Sequence, residues 1–197
     1  MGNREETTER ILTAALDLLA DEGFAALGVN SLARRSGADK QLIYRYFGGI
    51  DGVLAALGQH VAGRLTAALG QGEADACYGG MVESLLLALL RFLRGAATYR
   101  QLRMMEVVAP STATAAFAAA RGQALAAWVA ARAAGLVRPE GRDVAAINAA
   151  LIAAVEGLAI LGAVGLSDAA REAAAVRALV QGVYGEGSRG TPRPTPE

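Results

Sequence analysis

Glycine stops and helical periodicity together restrict the first fifty residues of this chain to three short helices. Over residues 7–22, Ile11, Leu12, Ala15, Leu16, Leu18 and Leu19 fall on one broad face. Thr7 or Thr8 is the candidate cap at its start, and Gly23 ends it. A second helix is predicted over Val29–Ser36, with Leu32 and Ala33 inward, and Gly37 breaks it. Asp39 is a good N-cap for a third helix, Lys40–Phe47, with Ile43 and Phe47 inward and Gly48-Gly49 as its stop. Helices two and three are separated by about three residues, the spacing of a helix-turn-helix.

The remainder also reads as helices. They are expected over 51–69, 81–95, 98–108, 111–134, 140–164 and 168–184, with Ser167 as a cap for the last. A loop is expected over 70–80 and a disordered tail over 185–197. No strand candidate and no internal repeat stands out. Abundant alanine, the best helix former, agrees with an all-α fold. The expected organisation is a helix-turn-helix domain over 1–50, a helical domain over 51–184 and the tail.

Composition narrows the function. The 197 residues hold 19 basic and 19 acidic side chains, so no global charge draws the chain to nucleic acid, although a local basic surface is compatible with that balance. One cysteine, Cys77, and one histidine, His60, give neither a disulfide framework nor a metal-ligand set. No nucleophile–base–orienter set and no placed cofactor loop argue for an enzyme, and neither cofactor nor metal is expected. The tail contains a literal G-x-G-x-x-G, Gly185 to Gly190, but a helix precedes it and prolines follow, the wrong context for a dinucleotide site. Residues 144–166 are long enough to span a bilayer. Glu156 at mid-segment and the lack of flanking basic clusters favour a helix buried in a core or interface, so no membrane partner is expected. No secretory leader pattern opens the chain, and a cytoplasmic location is the expectation.

The strongest functional signal is Val29 to Phe47, which holds four basic residues and one acid. With Ile43 and Phe47 inward, Lys40, Gln41, Tyr44 and Arg45 face out. Arginine and lysine bond guanine edges or phosphates, glutamine pairs with adenine, and a tyrosine hydroxyl reaches phosphate. The plainer alternative is a solvated charged helix face.

This segment resembles the DNA-binding domain of the TetR family of bacterial regulators. The resemblance rests on the amphipathic first helix, Leu32-Ala33, Gly37 and the ending Tyr44-Arg45-Tyr46-Phe47, and continues into Asp51–Leu57. It implies double-stranded operator DNA as partner. Asn30 stands where a base or phosphate contact is often placed. Lys40 and Gln41 open the recognition helix. Leu42 packs on a thymine methyl or fills the core. Tyr44 matches a backbone-contacting tyrosine, Arg45 is the candidate guanine reader, and Tyr46 is as much structural as a phosphate contact. Two departures stand out. Gly28 replaces the usual Ser or Thr cap of helix two. Ile50 replaces a phosphate-gripping lysine, which predicts weaker non-specific affinity.

One recognition helix reads too few bases, so a two-fold dimer is expected. Val176, Leu179, Val180 and Val183 follow helical spacing in the last helix, and Leu151, Val155 and Leu158 do so in the one before. The resemblance implies a homodimer through this pair. It also implies a small-molecule effector held by the middle helices. The candidates there are Phe117 and Trp128 with small residues between them, the adaptable Met104 and Met105, and the polar Tyr99, Arg103 and Glu106. Scarce charge points to a mostly apolar effector. The expected function is a repressor released from a palindromic operator by that effector, with an activator of the same fold as the alternative.

Overall fold

The computed structural model describes residues 2–70, 75–163, 165 and 168–185. Its elements are α1 (Gly2–Glu22), a 3₁₀ turn (Phe24–Ala26), α2 (Val29–Ser36), α3 (Lys40–Phe47), α4 (Ile50–Leu69), α5 (Tyr78–Gly95), α6 (Ala97–Val108), α7 (Thr112–Arg132), α8 (Val144–Ala163) and α9 (Ala169–Tyr184). No strand occurs among the described residues. The all-α expectation holds, and most boundaries agree to within a few residues.

The exceptions have local causes. Helix α1 starts five residues before Thr7, and Thr7 is buried within it rather than capping it. Arg4 and Glu5 extend the helix, with Glu5 in the favourable first turn. Helix α8 starts at Val144 because Asp143 caps it, accepting from the Ala146 N–H at 3.0 Å. Helix α9 is capped by Asp168, whose carboxylate accepts from Ala170 N at 2.9 Å and Arg171 N at 3.1 Å. The Ser167 cap and the tail beyond Gly185 lie outside the described residues.

The chain packs into two compact units, and the divisions fall inside α4 and α7. The first holds α1 to α3, most of α4, α6 and most of α7. Here α1 packs on α2, on the 3₁₀ turn and on α6, and α2 packs on α3. Ile11, Ala15 and Leu19 from α1, Leu32 from α2 and Ile43 from α3 are fully buried. Helices α4 and α7 approach closely at Gly58, where a Cβ would lie 2.8 Å from the Phe117 Cα.

The second unit is organised by α5, which packs against both α8 and α9. Met81, Leu85 and Leu89 of α5 are fully buried. A buried polar relay ties the three helices together. The Tyr184 hydroxyl donates to Asn148 Oδ1 at 2.6 Å, and Asn148 Nδ2 donates to the Tyr78 hydroxyl at 2.9 Å. The two rings meet edge to face with centroids 5.6 Å apart. Arg94 of α5 also pairs with the buried Glu172 of α9.

Burial, with the nearby Tyr78, pushes the Tyr184 hydroxyl up to about 12. The folded state therefore holds this proton after the unfolded chain has released it, so stability falls as pH rises through the window between the ordinary tyrosine value and about 12. Absorbance titration should show one tyrosine ionising late, together with loss of structure. Asn148→Ala removes both hydrogen bonds and strands two hydroxyls, an expected loss of roughly 2 kcal/mol in chemical denaturation. A loss no larger than that of a surface alanine substitution would show that the relay is not a structural tie.

Candidate nucleic-acid interface

The helix-turn-helix is built by local hydrogen bonds that fix α2 and α3 at both ends. Gly28 offers α2 no side-chain cap, and Ser31 compensates. Its hydroxyl accepts from the Gly28 N–H at 3.1 Å and is within donating distance of the Ala26 carbonyl at 2.5 Å. This is half of a capping box, made from inside the helix. At the turn, the Ser36 hydroxyl donates to the Leu32 carbonyl at 2.7 Å and accepts from Ala38 N at 3.2 Å. Gly37 takes φ 65°, a left-handed conformation that a side chain resists. Asp39 then caps α3, accepting from the Gln41 N–H at 2.8 Å.

Ile43 is fully buried, and that sets the rotation of α3. Lys40, Gln41, Tyr44 and Arg45 are all exposed, Tyr44 by 57%. Asn30 and Arg34 of α2 are exposed as well. Leu42, beside the exposed arc, and Tyr46, on the side of Ile43, are half-buried. Phe47, expected inward with Ile43, is also only half-buried. Arg35 is committed elsewhere, bonding Asp21 at 2.8 Å and Glu22 at 2.7 Å across to the end of α1. The Asp21 carboxylate, with Glu22 beside it, raises the Arg35 guanidinium further above its ordinary value. No ion pair among the described residues engages Arg34, Lys40 or Arg45.

The residues expected around an effector divide between the two units. In the first, Tyr99 and Phe117 are buried and meet edge to face, with centroids 5.7 Å apart. Glu106 is bonded by Arg103, and Arg121 of α7 reaches it at 2.7 Å, so these polar groups engage one another. Met105 is half-buried, and Met104 is 49% exposed. Trp128 belongs to the second unit. There its indole N–H donates to the Gly70 carbonyl at 3.4 Å, and the Arg132 guanidinium lies over its ring.

The residues expected at a dimer face also divide. Leu151, Val155, Val176 and Val180 are buried inside the second unit, where α8 and α9 meet α5. Leu158 and Val183 are half-buried, and Leu179 is 47% exposed. Leu161, 45% exposed, is a further apolar residue left outside.

Residues 11–57 match the family model of bacterial regulatory proteins of the tetR family. The matched segment runs from the Ile11 core of α1 through both helices of the motif into α4. The chain carries the helix-turn-helix segment of that family. An HTH-type transcriptional repressor of Mycobacterium tuberculosis and an HTH-type transcriptional regulator of Mycobacterium bovis are each 40% identical to it over 63 residues. Those residues are 32% of this chain and 34% of each relative, so the match spans about a third of the relatives' length. Over more than nine-tenths of its length the chain shares its fold with solved structures of transcriptional regulators. A regulator from Rhodococcus superposes with a TM-score of 0.69 at 21% identity, over 91% of this chain and 98% of that one. A transcriptional regulator from Pseudomonas aeruginosa does so with 0.70 at 18% identity, over 94% and 93%.

Two features of this chain escape a reading of its sequence. The Arg4 guanidinium lies over the Tyr46 ring, 5.3 Å from its centroid. Gly52, in the first turn of α4, approaches the end of α3 so closely that a Cβ would occupy the Phe47 carbonyl. Backbone cannot yield as a flexible side chain can, so Gly52→Ala must displace α4 from α3. We expect a loss of about 1–3 kcal/mol in thermal or chemical unfolding, the usual range for overpacking. Ala56→Gly in the same helix is the control and should cost only the propensity difference, about 1 kcal/mol. Equal losses in the two variants would show that the approach at Gly52 is not constraining.

Proposed function

We propose that the protein is a transcriptional regulator, most simply a cytoplasmic repressor, that binds a palindromic operator as a homodimer and is released by a small, mostly apolar effector. The observation that carries this reading is the exposed arc of α3. Lys40, Gln41, Tyr44 and Arg45 are presented on one side of a helix whose opposite side is anchored by Ile43. Their chemistry suits a major groove: Arg45 for guanine edges, Gln41 for adenine, and Lys40 and Tyr44 for bases or phosphates. Asn30 on α2 adds a contact, Leu42 offers apolar surface beside the arc, and Tyr46 is half-buried on the side of Ile43.

The dimer is supported by the second unit. Helix α8 is long and apolar enough to cross a membrane over Val144–Gly162, yet only 28% of its apolar window is buried within the protomer. Glu156, buried at mid-helix, and the packing of α8 on α5 suit a protein partner better than lipid. Ala150, Ala153, Ala154 and Leu161 of α8 and Ala175 and Leu179 of α9 are exposed. They form the face we assign to the partner copy. Leu158 and Val183 border it, while Leu151, Val155, Val176 and Val180 serve the core behind it.

The effector is assigned to the first unit, around Tyr99 and Phe117, with Arg103, Met104, Met105 and Glu106 on α6 beside Tyr99. An effector with unequal affinity for the DNA-competent and incompetent states would shift the population between them.

Leu161→Glu/Leu179→Glu places charges on the dimer face and leaves the core intact. Sedimentation should show a dimer for the wild type and a monomer for this variant. Binding of a short random-sequence duplex, followed by fluorescence anisotropy, should weaken at least tenfold as a dimer's two DNA contacts are separated. A variant that stays dimeric would remove this face from the interface. A wild type that binds no duplex at low salt would remove the DNA-binding function.

A further inference from the structure

The residue that opens α3 holds a charge that its capping role leaves half unused. One oxygen of the Asp39 carboxylate accepts from the Gln41 N–H at 2.8 Å. The other oxygen has no partner among the described residues, and no ion pair there engages Asp39. We propose that this second oxygen accepts from a cytosine amino group in the major groove, so that Asp39 helps to determine which sequence the protein binds. The inference rests on the DNA-binding reading and adds to it a base contact made by the cap.

The capping bond fixes where the carboxylate stands. A backbone N–H in the first turn points back along the helix axis from its own residue. The carboxylate that accepts from Gln41 therefore stands in line with Gln41, at the end of the helix. At about 100° per residue, Gln41 lies roughly 60° around the helix from Tyr44 and roughly 40° from Arg45. It lies roughly 160° from Ile43, the buried anchor. The capped end thus continues the exposed arc on the side away from the core, and Asp39 is itself exposed. In a docked helix-turn-helix, the N-terminal residues of the second helix are those that meet base edges.

The chemistry selects the base. An ionised carboxylate accepts hydrogen bonds and donates none. In the major groove guanine presents only acceptors, and thymine presents an acceptor and a methyl group. Cytosine and adenine present amino donors. Adenine sets its N7 acceptor beside that donor, where it opposes a carboxylate, and cytosine has no such neighbour. The same negative charge repels phosphate, so Asp39 acts against wrong sequences rather than raising affinity for all of them. The partial positive charge at the start of α3 stabilises the carboxylate without a cation.

Substitution separates capping from reading, because aspartate, asparagine and serine all cap helices. Bound duplexes are selected from a random DNA pool by the wild type, Asp39→Asn and Asp39→Ser, each first shown by thermal unfolding to keep its fold. The wild type should enrich cytosine at one position of each half-site. Asp39→Asn keeps an oxygen for the Gln41 N–H and turns an amino group outward, so that position should pass to guanine or thymine. Asp39→Ser should lose the preference there and keep the rest of the motif. On the selected duplex, replacing that C·G pair by T·A should weaken the wild type at least about fivefold and Asp39→Ser less than about twofold. The same motif from all three proteins, or adenine at the responsive position in the wild type, overturns this proposal alone. No enriched motif from the wild type overturns the DNA-binding reading and this proposal with it.

Discussion

The exposed face of α3 depends on one buried anchor. Ile43 enters the core built by α1 and Leu32 of α2, and a helix of only eight residues has no other deep attachment. An isolated helix this short is unstable in water, so its existence and rotation are both tertiary properties. The hydrogen bonds at its start and the left-handed Gly37 before it shorten the turn until Ile43 has one way to be buried. Once it is buried, the positions of Lys40, Gln41, Tyr44 and Arg45 follow from helical geometry. The pairing of Arg35 with Asp21 and Glu22 acts on the same assembly, fastening the end of α2 to the end of α1. A balanced net charge is thus compatible with a basic surface, because one of the four cations in the motif is neutralised toward the protein and the others are left outside.

The second unit solves a different problem with the same means. Helix α5 is a central apolar rod, and α8 and α9 lie against it. Apolar packing alone permits a helix to slide or rotate. The Asn148–Tyr78–Tyr184 relay supplies direction, because its hydrogen bonds close only in one register. What remains on the outside of α8 is apolar and made largely of small side chains, a surface that permits another helix to approach closely.

The sequence made the helices legible and, in the first fifty residues, their order and joints as well. Gly23, Gly37 and Gly48 are stops whose physical requirement is local, so local pattern reveals them. The exposed arc was legible for the same reason: Ile43 and the polar positions around it have a clear period. Legibility ended where small and apolar residues cover most of a helix. In α8 and α9 periodicity groups Val176 with Leu179 and Val180 but does not choose which side faces α5, and the structure turns Val176 and Val180 inward and Leu179 outward. Phe117 and Trp128 share a face of one helix by spacing, yet α7 carries them into different compact units. Arg4 and Gly52 gave no signal, because each matters through a neighbour distant from any motif: a ring for Arg4 and a backbone carbonyl for Gly52.

We propose that the exposed arc of α3 reads DNA sequence as part of a two-fold dimer. The measurement that tests it most directly is selection of bound duplexes from a random DNA pool at near-physiological salt, run in parallel on the wild type and on Lys40→Ala/Arg45→Ala. The account predicts an enriched motif with two-fold symmetry for the wild type, and loss of that motif in the variant while its fold is retained. A motif without two-fold symmetry, or the same motif enriched by both proteins, would contradict it.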